Sequence, residues 1–410
     1  MARETSIRIT QEVFSTSGNA TAHSVLPISD GGLKCFLNYI YVSEHTAEAE
    51  ALLMEPGKIP APSRHEDRRA EFCRDWLLLQ GAEDVEIDQA KNVICRINCD
   101  DQNDLTAFMA HTDIVFPDED TLPMTLDGRK PRAPGIGDDT ANLVNLLMSA
   151  KYILEHAPEL HTGFLIVANS CEEGLGNLDG TKEIFRVYGD RIKGFYSFDC
   201  YLSQCTSIAA GSYCYKITAR TTGGHSWQKF GQPNAIQILC TLVDRLYQLE
   251  VPKNPRTTYN VGYFNGGTTV NAIAQEASML FEFRSISQKC LEDMDKKLRE
   301  IVAEFQGNYE IVVELLGIRP GNGDVNPDAL ARFTDLSTRI IQEFYDGEVD
   351  LEANSTDANI PLSKGVCANT IGTISGAGAH TREEWVDLDS LPTGMKIVLS
   401  LMLHYTVLSE

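Results

Sequence analysis

The stretch Phe164-Leu165-Ile166-Val167-Ala168-Asn169-Ser170-Cys171-Glu172-Glu173-Gly174 joins a short apolar run to two adjacent acids. Apolar runs of this length, bounded by polar residues, are typical of strands buried inside a parallel sheet. Two carboxylates at the end of such a strand cost free energy unless positive charge compensates them. A pair of metal ions would do so, leaving one acid as a ligand and the other free to move protons. A lone Glu-Glu pair is more often a solvated surface feature, so a metal site is indicated only if other parts of the chain supply further ligands.

Further oxygen and imidazole side chains occur on both sides of this stretch. Upstream lie His111-Thr112-Asp113 and Asp138-Asp139, and downstream lie Asp199 and His380. Mixed carboxylate and imidazole ligands suit two zinc ions in a hydrolytic centre, and cobalt or manganese suits the same sites. The ordered series therefore favours a two-metal hydrolytic site over a solvated acidic pair.

The composition is that of a globular protein long enough for two domains. The chain has 410 residues, of which 43% are hydrophobic and 23% charged. Its net charge of -23 argues against nucleic acid or an anionic membrane as a partner, because both reward clustered Lys and Arg. Eleven scattered cysteines without a CxxC pair indicate reduced thiols. Since Met1-Ala2-Arg3-Glu4 does not open an apolar leader, we expect a cytoplasmic protein with no membrane span.

The middle of the chain predicts a mostly parallel sheet. A buried strand over 105–110 ends at His111, a helix follows from Asp139 to about His156, and the strand 164–168 comes next. This order implies parallel strands with helices on both faces. Because functional groups in such sheets gather beyond the carboxyl ends of the strands, we expect His111, Glu172 and Asp199 to lie close together.

A smaller domain interrupts this sheet. Strands are predicted at 212–221, 259–264, 277–283 and 310–316, and helices at 234–249 and 291–305. Strand-helix-strand-strand-helix-strand is the ferredoxin-like order, sufficient for a small α/β sandwich. The predicted fold is therefore α/β, with a catalytic domain formed by residues 1–210 and 320–410. Residues 211–319 are expected to form the inserted domain, for which the resemblance described below implies a role as a lid and dimerisation domain.

Seven short motifs in series resemble the dinuclear zinc peptidases and deacylases that include peptidase T, glutamate carboxypeptidase, aminoacylase and succinyl-diaminopimelate desuccinylase. The resemblance covers roughly residues 55–405, and the segments 355–359 and 380–384 look most like peptidase T. One departure is Thr140, where relatives commonly carry Lys after the paired aspartates; we expect it to alter local support rather than metal binding. The motifs are Ala110-His111-Thr112-Asp113, Gly137-Asp138-Asp139, Glu172-Glu173-Gly174, Phe198-Asp199, Gly223-Gly224-His225-Ser226, Gly266-Gly267-Thr268-Thr269-Val270-Asn271 and Gly378-Ala379-His380.

The resemblance assigns roles to the acids and histidines. Glu172 is the expected general base, which deprotonates a bridging water and passes the proton to the leaving amine. Asp113 is expected either to orient His111 or to cap the following turn, and Asp139 to be structural. The resemblance implies two zinc ions per subunit, held by His111 and Asp199 on one side, Glu173 and His380 on the other, and a shared Asp138.

The resemblance also implies residues that meet the substrate. His225 would be a lid histidine that approaches the scissile carbonyl from the partner subunit of a homodimer, or else an ordinary loop residue. Asn271 and Arg284 match substrate-binding positions, although Arg284 also suits a structural salt bridge. Asp357 and Asn359 either line the pocket or form an Asx turn.

The expected function is hydrolysis of an amide bond in short peptides, most simply by an exopeptidase of the tripeptide aminopeptidase type. The alternatives are an N-acyl amino acid amidohydrolase or a carboxypeptidase using the same site, and a catalytically silent metal-binding or ligand-binding protein. A silent protein would have no use for five ligand residues together with a separate base, Glu172. The motif spacing does not distinguish an aminopeptidase from a carboxypeptidase or an N-acyl amino acid amidohydrolase, because the shape of the substrate pocket depends on loops.

Overall fold

The computed structural model describes residues 30–407, with side chains from Asn38 onward. The expectations for residues 1–29, including the missing apolar leader and the first part of the catalytic domain, lie outside the described residues. Within the described part of the chain, no helix is both long and apolar enough to cross a membrane.

The central sheet has seven strands, and its four middle strands run parallel. All residues of the strands 105–111 and 163–169 are buried, because helices cover both faces of the sheet. The predicted fold class is thereby confirmed. In spatial order the strands are β1 (Val85–Ile87), β2 (Val93–Ile97), β7 (Gly163–Asn169), β3 (Leu105–His111), β8 (Ile192–Phe198), β16 (Cys367–Ile371) and β9 (Cys205–Thr206).

Successive residues of β3 point to two different cores. Phe108 packs with Phe164, Tyr196 and Phe198 on one face, whereas Ala107 belongs to the core on the other face. The helix 30–53, in a region without a readable motif, packs on the helices 391–404 and 142–156. The helices are α1 (Asp30–Leu53), α2 (Asp67–Leu79), α3 (Asn142–His156), α4 (Asp179–Tyr188), α5 (Ala235–Leu246), α6 (Gln288–Gln306), α7 (Pro327–Phe344), α8 (Asn359–Ser363) and α9 (Leu391–His404).

The inserted segment forms an antiparallel sheet with two helices on one face. Tyr213, Tyr215 and Ile217 alternate toward these helices and share a core with them, separate from the cores of the central sheet. Asn234 and Ser287 cap α5 and α6 through their side-chain oxygens. In spatial order the strands are β12 (Thr257–Gly266), β14 (Glu276–Ser285), β10 (Gly211–Arg220) and β15 (Glu310–Arg319), and a two-stranded ribbon pairs β11 (Gly224–His225) with β13 (Ala272–Ile273).

The remaining strands are short and were not predicted from the sequence. They close the loops around the carboxyl edge of the central sheet and the end of the chain. They comprise a sheet of β17 (Gly376–Ala377), β18 (Trp385–Val386), β5 (Lys130–Arg132) and β4 (Thr125–Asp127), and a pair of β19 (Thr406–Val407) with β6 (Glu159–Leu160).

Candidate metal centre

The parallel register of the central sheet brings the predicted ligands to one edge. Ala110 of β3 lies opposite Ala168 of β7, and His111 lies opposite Asn169, so the two strands end level. Glu172 and Glu173 follow β7, and Asp199 follows β8 directly. All five side chains named as metal ligands therefore meet here once the loops carrying Asp138 and His380 are added.

Asp138 lies between the two histidines. Its Oδ1 is 3.0 Å from His111 Nε2, and its Oδ2 is 3.2 Å from His380 Nε2. Asp199 Oδ1 lies 3.9 Å from His111 Nε2, and Glu173 Oε1 lies 3.2 Å from His380 Nε2. The carboxylate of Asp138 thus belongs to two groups of ligand atoms at once.

These residues fit a pair of metal ions. His111, Asp138 and Asp199 offer ligand atoms within 4.8 Å of one another, and so do Asp138, Glu173 and His380. Glu173 Oε1 is buried, and its contact among the described residues is the ion pair with the imidazole of His380 at 3.2 Å, which leaves room for further positive charge beside this oxygen. An imidazole and carboxylate set of this kind suits zinc or a related divalent ion.

The pKa values of the cluster reflect its crowded negative charge. Burial acts to lower the pKa of His111, but the neighbouring Asp139, Asp113 and Asp138 outweigh it and hold the value well above the ordinary range. Hydrogen bonds to Asp138 and Glu173 raise the pKa of His380 to about 10. Both imidazoles thus lie in a field of negative charge that favours a cation at this position.

The same crowding acts on the acids. Burial and the nearby Asp138 raise the pKa of Asp199 to about 7. Burial also raises the pKa of Glu172 well above its usual value, and Arg319 opposes this rise. The acids would be restored to their ionised form by cations bound between them.

The turn that carries Asp138 is held by Glu384. The carboxylate of Glu384 accepts backbone hydrogen bonds from Gly135 at 2.8 Å, Gly137 at 3.0 Å and Asp138 at 2.7 Å. Thr140, the departure from the usual Lys, donates its hydroxyl to the carbonyl oxygen of Gly135. Glu384 ends the segment 380–384, and no sequence pattern indicates its role, since a partner about 246 residues away leaves no local signal.

Asp113 supports the loop with the paired glutamates more directly than it supports His111. Its carboxylate accepts the backbone N–H groups of Glu172 and Glu173, both at 2.9 Å, and the hydroxyl of Ser63 at 2.6 Å. His111 Nδ1 lies 3.1 Å from the carbonyl oxygen of Asp113, but 3.5 Å from its carboxylate. Donation to that carbonyl leaves Nε2 as the atom that faces the cluster.

Asp139 plays a supporting part, in the position expected of a structural residue. Its Oδ2 accepts the backbone N–H of His111 at 2.9 Å, and its Oδ1 accepts the side-chain amide of Asn142 at 2.6 Å. Both carboxylate oxygens are thus used inside the protein, and the residue is fully buried. Asp139 fixes where β3 ends relative to the Asp138 turn.

The cluster opens into a cavity of about 430 Å³ beneath the inserted sheet. Arg284 lines this cavity, and its guanidinium pairs with Glu282 at 3.0 Å, so both interpretations of Arg284 remain compatible with the structure. Arg319, which belongs to none of the sequence motifs, also lines the cavity and contacts Glu172 at 3.2 Å.

Four other predicted residues lie elsewhere. His225 and Asn271 are exposed neighbours on the inserted domain, and neither is among the described residues that line the cavity. Asp357 is fully buried and accepts hydrogen bonds from Asn169 and Thr181, so its side chain does not line the pocket. Asn359 is also buried: its Oδ1 accepts the N–H of Thr356, three residues earlier, so this contact is not that of an Asx turn, and its amide donates to the Pro320 carbonyl.

Comparisons with known proteins give one consistent result. The model of the family described as "Peptidase family M20/M25/M40" matches residues 107–404. A succinyl-diaminopimelate desuccinylase of Nitrosospira multiformis is 22% identical over 272 residues, which is 58% of this chain and 71% of that protein.

Two solved structures share the fold. A tripeptidase from Staphylococcus aureus superposes with a TM-score of 0.70 at 19% identity, covering 87% of this chain and 97% of its own. An M20 family metallo-carboxypeptidase from Sulfolobus solfataricus superposes with a TM-score of 0.70 at 16% identity, and the match covers 88% of this chain and 100% of that chain.

Proposed function

This chain belongs to peptidase family M20/M25/M40, a family of dinuclear metal-binding peptidases, and we propose that it is an exopeptidase acting on short peptides. Family membership makes the protein a metal-dependent peptidase or amidohydrolase. More specifically, we propose a tripeptide aminopeptidase that binds two zinc ions per subunit.

One observation carries the proposal: two sets of ligand atoms share the carboxylate of Asp138, and an acid outside both sets, Glu172, stands beside them. Bound ions would supply a Lewis acid for the scissile carbonyl and lower the pKa of water. Glu172 would take the proton from the attacking water and deliver it to the leaving amine nitrogen. Glu172 is nearly buried, so this transfer takes place away from bulk solvent.

The cavity supports a small substrate with a free carboxylate. Its volume of about 430 Å³ suits a peptide of a few residues. Arg284 on its wall offers a planar guanidinium for a terminal carboxylate, which would replace Glu282 as the partner. The same arrangement suits an N-acyl amino acid or a carboxypeptidase substrate, which is the alternative function.

The inserted domain is proposed as a lid and dimerisation surface, spanning 211–319 between the two parts of the catalytic domain. His225 and Asn271 face solvent, next to Trp227 and Phe230, which are 86% and 93% exposed. We propose that these two aromatic side chains are covered by the partner subunit in a homodimer. In a homodimer, His225 would reach the partner's cavity, where an imidazole stabilises developing negative charge on the carbonyl oxygen.

A subunit-mixing experiment tests this arrangement. His225→Ala and Glu172→Gln proteins, each inactive alone, are combined under conditions that exchange subunits. One site of each heterodimer then has both Glu172 and His225, so part of the activity should return. If heterodimers form and no activity returns, His225 does not act across the interface.

The ten cysteines of the described side chains are free thiols, which supports the proposal of a reducing, cytoplasmic location. The function itself is tested with a panel of dipeptides, tripeptides and N-acyl amino acids, with zinc, cobalt or manganese added. We expect the highest kcat/KM on tripeptides with a free amino terminus. Turnover confined to N-acyl amino acids would favour the alternative, and metal binding without any turnover would favour a silent protein.

A further inference from the structure

Arg319 joins the inserted domain to the paired glutamates. It is the last residue of β15, where its backbone pairs with Ser212 at the beginning of the inserted sheet. Its guanidinium contacts the carboxylate of Glu172 at 3.2 Å and also donates to the backbone carbonyl of Glu172. It contacts the carbonyl and hydroxyl oxygens of Ser355 as well, at 3.3 Å and 3.4 Å. One side chain thus fixes both ends of the Glu172 residue.

The contact is shielded from solvent. The side chains of Arg319 and Glu172 are only 13% and 6% exposed, so the pair is screened far less than a surface salt bridge. A guanidinium presents its donors in a rigid fork, and here one amino group meets Oε1 while the other meets the backbone carbonyl, which ties the carboxylate of Glu172 to its own backbone. The contact uses Oε1 of Glu172 and leaves Oε2 as the oxygen that can receive a proton.

Arg319 also distinguishes two chemically identical neighbours. Among the described side chains no guanidinium contacts Glu173, and its Oε1 faces His380. Glu172 lies close enough to His111 and Glu173 to be a metal ligand, because the three offer ligand atoms within 4.8 Å of one another. Arg319 already supplies a positive charge to the carboxylate of Glu172, so this acid does not need a metal ion to compensate its burial.

We propose that Arg319 is a positioning residue that orients the Glu172 carboxylate as a proton acceptor and holds it out of the metal ligand set. This rests on the proposed function, in which Glu172 is the base. Because Arg319 ends the last strand of the inserted domain, it also sets the base at a fixed position relative to the lid. A different role, binding of the substrate by Arg319, predicts a different kinetic result.

The test compares Arg319→Met and Arg319→Lys with Arg220→Met, a matched control on the exposed far end of the same sheet. Loss of positioning should lower kcat by about 10- to 100-fold in Arg319→Met, with KM changed by less than about twofold. Arg319→Lys keeps the charge but not the fork and should recover only part of kcat. Arg220→Met should behave as the parent. A loss confined to KM, or an unchanged kcat, overturns the proposal.

A second readout does not depend on turnover. With cobalt in the site, Arg319→Met should change the visible absorption spectrum, as Glu172 becomes free to join the ligands, and Arg220→Met should not. If Arg319→Met fails to fold, Arg319→Lys decides by the same two measurements. Glu172→Gln is measured in the same experiments. If Glu172→Gln keeps full activity, the proposed function has failed. If Glu172→Gln is inactive but Arg319→Lys has the kcat and the cobalt spectrum of the parent protein, only the role of Arg319 is refuted.

Discussion

Replacing Glu384 should weaken both the fold and the metal site, although this side chain is not among the ligands. Its carboxylate accepts three backbone N–H groups from the Asp138 turn, and only 1% of the residue is exposed. Each hydrogen bond to a charged group contributes about 1.5–3 kcal/mol, and a buried donor left unpaired costs about 1–3 kcal/mol. Because water can enter the space left behind, we expect Glu384→Ala to lose about 3–6 kcal/mol of unfolding free energy.

A conservative substitution separates charge from shape. In Glu384→Gln the remaining oxygen can still accept from Gly137 and Asp138, but an amide N–H group then faces the N–H of Gly135. One lost bond and one donor facing a donor should cost about 1–3 kcal/mol. Metal affinity should fall about 10- to 100-fold, as for other residues that support a ligand.

Urea unfolding of the chelated proteins measures the first effect, and isothermal titration with zinc measures the second. Glu383→Gln is the matched control, because Glu383 is adjacent and exposed. If Glu384→Ala changes the unfolding free energy by less than about 1 kcal/mol and leaves the zinc affinity unaltered, the role assigned to the three hydrogen bonds is wrong.

Metal analysis after reconstitution should approach two equivalents per chain and chelation should abolish turnover, whereas saturation at one equivalent with full activity contradicts a dinuclear centre. Glu173→Gln should lower metal affinity, while Glu172→Gln should retain both metals and lose about 10²–10⁴-fold in kcat; exchanged effects would mean that the two roles are reversed. Phe108→Ala should lose about 3–5 kcal/mol of unfolding free energy, since the ring is fully buried against Phe164 and Tyr196, and Leu79→Ala, at an 82% exposed position, serves as the control.

The pH dependence of metal binding has a definite sign. A protonated imidazole cannot bind a metal, and hydrogen bonds to Asp138 and Glu173 raise the pKa of His380 to about 10 in the metal-free site. Metal affinity should therefore rise with pH across the neutral range, with protons released on binding. Calorimetry in buffers of different ionisation enthalpy counts these protons. An affinity independent of pH between 6 and 9 would contradict this account of the cluster.

Much of the fold is local in origin and was predictable for that reason. The period-two pattern of Tyr213, Tyr215 and Ile217 specifies a strand with one buried face, and the same residues line the core of the inserted sheet. The clustering of His111, Glu173 and Asp199 was predictable because parallel strands end at a common edge, so the last residue of β3 must meet residues that follow β7 and β8.

Contacts between residues that are far apart in the chain were revealed only by the tertiary structure. Arg319 meets Glu172 across 147 positions, and Glu384 meets Asp138 across 246. Asp357 is turned into the protein by Asn169 and Thr181, and the helix 30–53 is held by α3 and α9 despite lacking a clear sequence pattern. Hydrophobic periodicity reports which face of an element is buried, but it does not report which distant polar group satisfies a buried charge. That pairing is set by the packing of whole elements.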